Sequence, residues 1–102
     1  MRKDSAMTPD ALLVKNRDRI LEIAAQYGAR NVRVFGSIAQ GDAHPDSDID
    51  LLVDLQPGRS LLDHVALWQD LEELLGRKVD VLVDGGISPY LGEQIRAEAK
   101  PL

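Results

Sequence analysis

The chain has 102 residues, no cysteine and a net charge of −5. That length supports one modest hydrophobic core, and the missing cysteine excludes disulfides, thiolate metal sites and thiol nucleophiles. The acidic balance argues against direct binding to nucleic acid or an anionic membrane, and no apolar run nears the ~20 residues needed to cross a bilayer.

The opening stretch, MRKDSAMTPD, lacks the apolar core of a secretory signal, so a cytoplasmic location is expected. Residues 1–7 read as a flexible lead-in, with Met7 an alternative start, and residues 8–102 as one domain. Thr8-Pro9 is a helix start, threonine capping and proline at the first helical position. Leu13, Ile20, Ala24 and Tyr27 follow at helical spacing, widened by Leu12 and Leu21, and Gly28 ends the helix. Lys15, Arg17, Asp18, Arg19 and Glu22 make its solvated face. Asn31 to Phe35 reads as a first strand, with Val32 and Val34 on one face.

Gly36-Ser37 follows at once. A glycine directly after a strand lets the backbone approach a ligand closely. If Ser37 opens a helical turn through Ile38-Ala39-Gln40, its free amides form an anion site, and the hydroxyl adds a donor. Asp42 to Asp46 is a polar loop whose His44 reads as a surface histidine. A second strand carries Asp48 and Asp50, which alternation places on one face with Leu52, while Ile49, Leu51 and Val53 share the other. The two carboxylates then stand roughly 6.5–7 Å apart at Cα. Two like charges on one face of an apolar strand need a compensating charge, and Mg²⁺ suits hard oxygen ligands of this kind. A calcium loop beginning at Asp46 is excluded, because Leu51 and Pro57 stand where it needs glycine and glutamate. Ser47 can touch a phosphate or cap the turn, and both readings stand.

Pro57-Gly58 marks a turn, and Ser60 with Asp63 forms a capping-box pattern. Leu61, Val65, Trp68, Leu71 and Leu75 recur at helical spacing, which predicts a core-facing Trp68 with His64 at the helix edge; Gly76 stops the helix. A third strand, Lys78 to Val83, places Val79, Val81 and Val83 on one face and Asp80 and Leu82 on the other. Aspartate is a poor choice for a plain core strand. The alternative is an edge-strand charge paired with Arg77 or Lys78. Asp84-Gly85-Gly86 is a turn, and Ser88-Pro89 starts a last helix whose Leu91, Ile95 and Ala99 offer a partner an apolar face. No internal repeat or linker interrupts the chain.

The Gly-Ser-x10-Asp-x-Asp spacing, written here as GSIAQGDAHPDSDIDLLVD, resembles the DNA polymerase β-like nucleotidyltransferase superfamily, and its wording resembles the minimal nucleotidyltransferase (MNT) branch. The likeness runs from about Thr8 onward, with its specific residues in Gly36–Asp50 and at Asp80. It implies an α/β (α+β) fold, a small mixed β-sheet flanked by helices. It further implies that Asp48 and Asp50 bind metal in a site of two Mg²⁺ ions, and that Asp80, on a neighbouring strand, ligates the nucleophile-side ion or helps remove the acceptor's proton. Gly36 and Ser37 would hold the triphosphate; Ser47 joins the nucleotide contacts only under its phosphate reading. The implied substrate is ATP. The implied partner is a HEPN-family toxin, adenylylated on a hydroxyl such as tyrosine and so neutralised. A non-catalytic antitoxin that blocks the toxin sterically, or transfer to a small molecule or RNA, are the alternatives. One departure is Gln40, where the family often carries arginine. Nothing in the residues themselves selects adenine.

Overall fold

The computed structural model describes residues 8–41, 47–84 and 89–102, and only the backbone course at 89–91. The expectations for Asp42, His44, Asp46, Gly85, Gly86, Ser88 and the Leu91 side chain lie outside the described residues.

Helix α1 (Pro9–Gln26) begins where the cap signal places it: Thr8 Oγ1 accepts the Ala11 N–H at 3.3 Å. It buries Leu12, Leu13, Ile20, Ala24 and also Ile23. Strand β1 (Ala29–Phe35) starts two residues before its expected beginning. The reason is a register shift between Arg30 and Arg33, where Asn31 adopts a φ of 53°. An extra residue re-phases the alternation, so Ala29 joins Val32 and Val34 in the core. The short helix α2 (Ser37–Gln40) follows, then strand β2 (Ile49–Leu55), with Asp48 immediately ahead of it.

Helix α3 (Leu61–Leu75) opens with the expected capping box: Ser60 Oγ accepts from Leu62 N–H at 3.2 Å, and Asp63 Oδ2 accepts from Ser60 N–H at 3.0 Å. Gly76 closes it in the left-handed conformation that favours glycine. Strand β3 (Val79–Val83), helix α4 (Pro89–Glu98) and a two-residue strand β4 (Lys100–Pro101) complete the chain. The sequence reading contained no β4. Two residues, one of them proline, carry no periodic signal, and the strand exists only because it pairs antiparallel with β1.

The sheet order is β3-β2-β1-β4, with β2 and β3 parallel and β1 antiparallel to both neighbours. A parallel pair needs a crossover, and α3 supplies it. The fold is therefore a small mixed sheet with helices. Its core lies where α1 and α3 cover one sheet face, joining Ile20, Ile23, Leu67, Leu71 and Leu75 to Ile49, Leu51, Val53, Val79 and Val81. Tyr27 Oη, just past α1, donates to Asp70 Oδ2 of α3 at 2.5 Å and ties the two helices together. Among the described residues no helix is long and apolar enough to cross a membrane.

One expected core stripe is corrected. Its second half, Leu71 and Leu75, is buried as expected and is joined by Leu67, but Leu61 is 74% exposed and Trp68 38%. Helix α3 carries two overlapping apolar stripes, 61-65-68 and 67-71-75, and helical periodicity alone does not choose between them.

On the opposite sheet face, Arg33 forms the centre of an ionic lattice. Its guanidinium reaches Asp54 Oδ1 at 2.8 Å and Asp84 Oδ2 at 3.3 Å, and Arg96 Nε of α4 reaches Asp84 Oδ1 at 2.9 Å. Arg96 and Arg33 hold the Asp84 carboxyl below the usual range. The lattice links β1, β2, the end of β3 and α4.

Candidate active site

The site is assembled across three strands. Phe35 of β1 pairs with Asp50 of β2, and Asp50 pairs in parallel register with Asp80 of β3. Register partners point to the same side of a sheet, so these three side chains form one row on the face away from α1. Asp80 is thus a neighbour of Asp50, although thirty residues separate them in the chain.

Gly36 closes the β1 end of the row. It adopts φ 74° and ψ −148°, a conformation open to glycine, and a Cβ there would collide with Asp50 Oδ2. The backbone thus comes into direct contact with the carboxylate. Ser37 begins α2, which carries no side-chain cap. The first closing bond, Gln40 N–H to Gly36 O at 3.1 Å, leaves the amides ahead of it without intrahelical acceptors.

Asp48 stands one residue before β2, more exposed than Asp50, with Lys78 Nζ 4.0 Å from its Oδ2. The preceding Ser47 has its carbonyl held by Arg77 Nη1 at 2.8 Å. The Arg77 and Lys78 cations therefore serve the Ser47–Asp48 segment. The electrostatics of the row centre on Asp50, whose carboxyl is pushed up to about 6. Partial burial is the largest cause, followed by the charges of Asp80 and Asp48 and a hydrogen bond shared with Asp80.

Among the described residues, no three acidic or histidine side chains stand close enough to cage an ion as they lie. The donor set nevertheless fits Mg²⁺ in kind: hard carboxylate oxygens, two in register and a third at the strand entrance. Lys78 offsets part of their mutual repulsion, and a divalent cation would relieve it further.

The sequence reading missed one wall of the site. Phe35, Asp50, Asp80 and Leu82 form the floor of a cleft of about 320 Å³, and His64 and Trp68 of α3 bound it beyond β3. His64 Nε2–H donates to the Val81 carbonyl at 2.7 Å, pinning α3 to the free edge of the sheet. The Trp68 indole N–H donates to Glu72, which also accepts the Val79 N–H at 3.1 Å. Those two hydrogen bonds hold Glu72 below the usual carboxyl range, the Val79 amide acting more strongly. The available signal was the one-turn spacing of His64 and Trp68, which puts both rings on one side of α3.

Gln40, the departure from the family pattern, donates from Nε2 to Glu98 Oε1 at 2.8 Å and so joins α2 to α4.

The sequence pattern of the nucleotidyltransferase domain family matches residues 17–101. The protein adenylyltransferase MntA of Thermococcus cleftensis is 36% identical over 77 residues, covering 76% of this chain and 78% of that protein. A solved structure provisionally described as a minimal nucleotidyltransferase superposes with a TM-score of 0.83 at 47% identity, covering 95% of this chain and 98% of that one. A crystal structure described as a toxin–antitoxin with AMP-PNP superposes with a TM-score of 0.73 at 26% identity, covering 84% and 71%.

Proposed function

The chain belongs to the nucleotidyltransferase domain family, and from that premise we propose that it transfers AMP from ATP to a hydroxyl of a cognate HEPN-type toxin, thereby acting as its antitoxin. The observation that carries the reading is the row in which Asp50 stands in register with Asp80 on one side and lies directly against the backbone of Gly36 on the other. A glycine that admits a ligand beside clustered carboxylates suits the transfer of a metal-bound phosphoryl group. The acceptor class rests on relatives: a protein adenylyltransferase in sequence, and a toxin–antitoxin with an ATP analogue in structure.

In this reading Asp48, Asp50 and Asp80 would hold Mg²⁺, which supplies charge neutralisation at the attacking and leaving oxygens of an in-line displacement. Gly36 and Ser37 would receive the triphosphate through backbone amides and the Ser37 hydroxyl, with Ser47 beside Asp48 a further contact. The acceptor oxygen bonds to the α-phosphorus, the bond to the β-phosphate oxygen breaks, and pyrophosphate leaves. Asp80, at the far end of the row, takes the acceptor's proton. A tyrosine hydroxyl is the acceptor we favour.

The test mixes the protein, Mg-ATP and the cognate toxin and follows the toxin's intact mass. Wild type should add one or more AMP units, and Asp48→Asn should add none, because it removes charge while keeping side-chain size. If Asp48→Asn still binds the toxin and protects cells in full, neutralisation is steric and the enzymatic reading of the antitoxin fails.

A further inference from the structure

Building on this transfer reading, we infer that the cleft between Asp80 and helix α3 is the acceptor subsite, shaped by Trp68 and His64 to take the aromatic ring of a hydroxyl-bearing side chain on a partner protein. The first argument is direction. Gly36-Ser37 lies at the β1 end of the row, Asp50 in its middle, Asp80 on β3, and the His64 and Trp68 rings beyond β3. An in-line displacement places attacking and leaving groups on opposite sides of the phosphorus. With pyrophosphate leaving toward Gly36-Ser37, attack comes from the Asp80 side, and the space on that side is this cleft.

The second argument is chemistry. Phe35 and Leu82 in the floor and Trp68 in the wall give the cleft an apolar and aromatic lining, while Asp50 and Asp80 supply its polar end. That division suits a ring with a hydroxyl at its tip: the ring packs on the aromatic wall and the hydroxyl reaches the carboxylates. A serine or threonine hydroxyl would leave the wall uncovered. The wall is also held in place. His64 donates to Val81 O, and Glu72 accepts from both Trp68 and Val79, so both rings are tied to the strand that carries Asp80.

The third argument is the surface outside the cleft. Leu61 lies two turns before Trp68 on the same stripe and is 74% exposed, with Leu62 at 79%. An apolar stripe that runs outward from the cleft suits an acceptor borne on a protein surface better than a free small molecule. Trp68 and His64 act on specificity here and are not catalytic residues.

The chain's single tryptophan makes the cleft directly readable by fluorescence. In the unmodified protein, N-acetyl-tyrosinamide should quench Trp68 emission, while N-acetyl-serinamide and Mg-AMP-PNP should not. In transfer kinetics, Trp68→Ala should raise the KM for the acceptor protein about tenfold and leave the KM for ATP within about twofold. Trp68→Phe should recover most of the loss, and Leu61→Ser should raise the acceptor KM alone. Quenching by Mg-AMP-PNP without quenching by the tyrosine amide, or a raised KM for ATP with the acceptor KM unchanged, would assign the cleft to the nucleotide base and overturn the inference. Absence of quenching by the tyrosine amide also overturns it. If wild type transfers AMP to no protein hydroxyl, the proposed function fails, and the titration on the unmodified chain still decides what the cleft binds.

Discussion

Replacing Asp50 with asparagine should stabilise the metal-free protein at neutral pH, and the gain should vanish in acid. The carboxyl titrates near 3.8 in an open chain and at about 6 in the fold, chiefly because it is partly buried and faces Asp80 and Asp48. The folded state therefore binds this proton more tightly than the unfolded state, so stability is highest in acid and falls as pH rises from about 4 to about 6. Above that window the ionised group costs the fold at most about 3 kcal/mol. Asp50 is only part-shielded from water, so the expected gain for Asp50→Asn is about 1–2 kcal/mol, or roughly 4–10 °C in a domain of this size. Asparagine keeps the shape and still has an N–H to offer Asp80. The assay is urea unfolding followed by circular dichroism, in EDTA, at several pH values from 4 to 8. The curves for the two proteins should coincide near pH 4 and separate to their full extent by pH 7. Adding millimolar Mg²⁺ at pH 8 should then raise wild type and leave Asp50→Asn unmoved, since a ligand stabilises only the state it binds. If the asparagine variant is equal or less stable at pH 8, the repulsion between Asp50 and its neighbours is not what sets this group's titration, and the account of the row is wrong.

Two further substitutions test the frame around the site. Gly36→Ala should cost about 1–3 kcal/mol from backbone strain, and should abolish transfer because the new methyl group displaces Asp50. Urea midpoint and intact-mass assay together check it, and retained transfer would remove Gly36 from the site. Arg33→Ala should cost about 2 kcal/mol in the urea midpoint by leaving Asp54 and part of Asp84 without their cation.

Most of the secondary structure of this protein was legible in its sequence because the signals are local. Thr8-Pro9, the Ser60–Asp63 capping box and Gly76 set helix boundaries through bonds made within four residues, and the structure reproduces them. The strand assignment of Asp50 and Asp80 likewise followed from alternation within β2 and β3. Strand β1 was misplaced at its start, because a bulge at Asn31 breaks the alternation on which such a reading depends. Strand β4 left no trace, because a two-residue strand is made by its partner.

What no local pattern could decide was which residues meet across the chain. Parallel register between β2 and β3 sets Asp80 beside Asp50, and pairing between β1 and β2 sets Gly36 against the same carboxylate. The same limit explains Trp68. Helix α3 has enough apolar residues for two faces, and the sheet accepts only one, through Leu67, Leu71 and Leu75. The other stripe, with Trp68 at its end, is left at the rim of the cleft. Amphipathic spacing says that a helix has a buried face; the packing of the sheet against it selects which one.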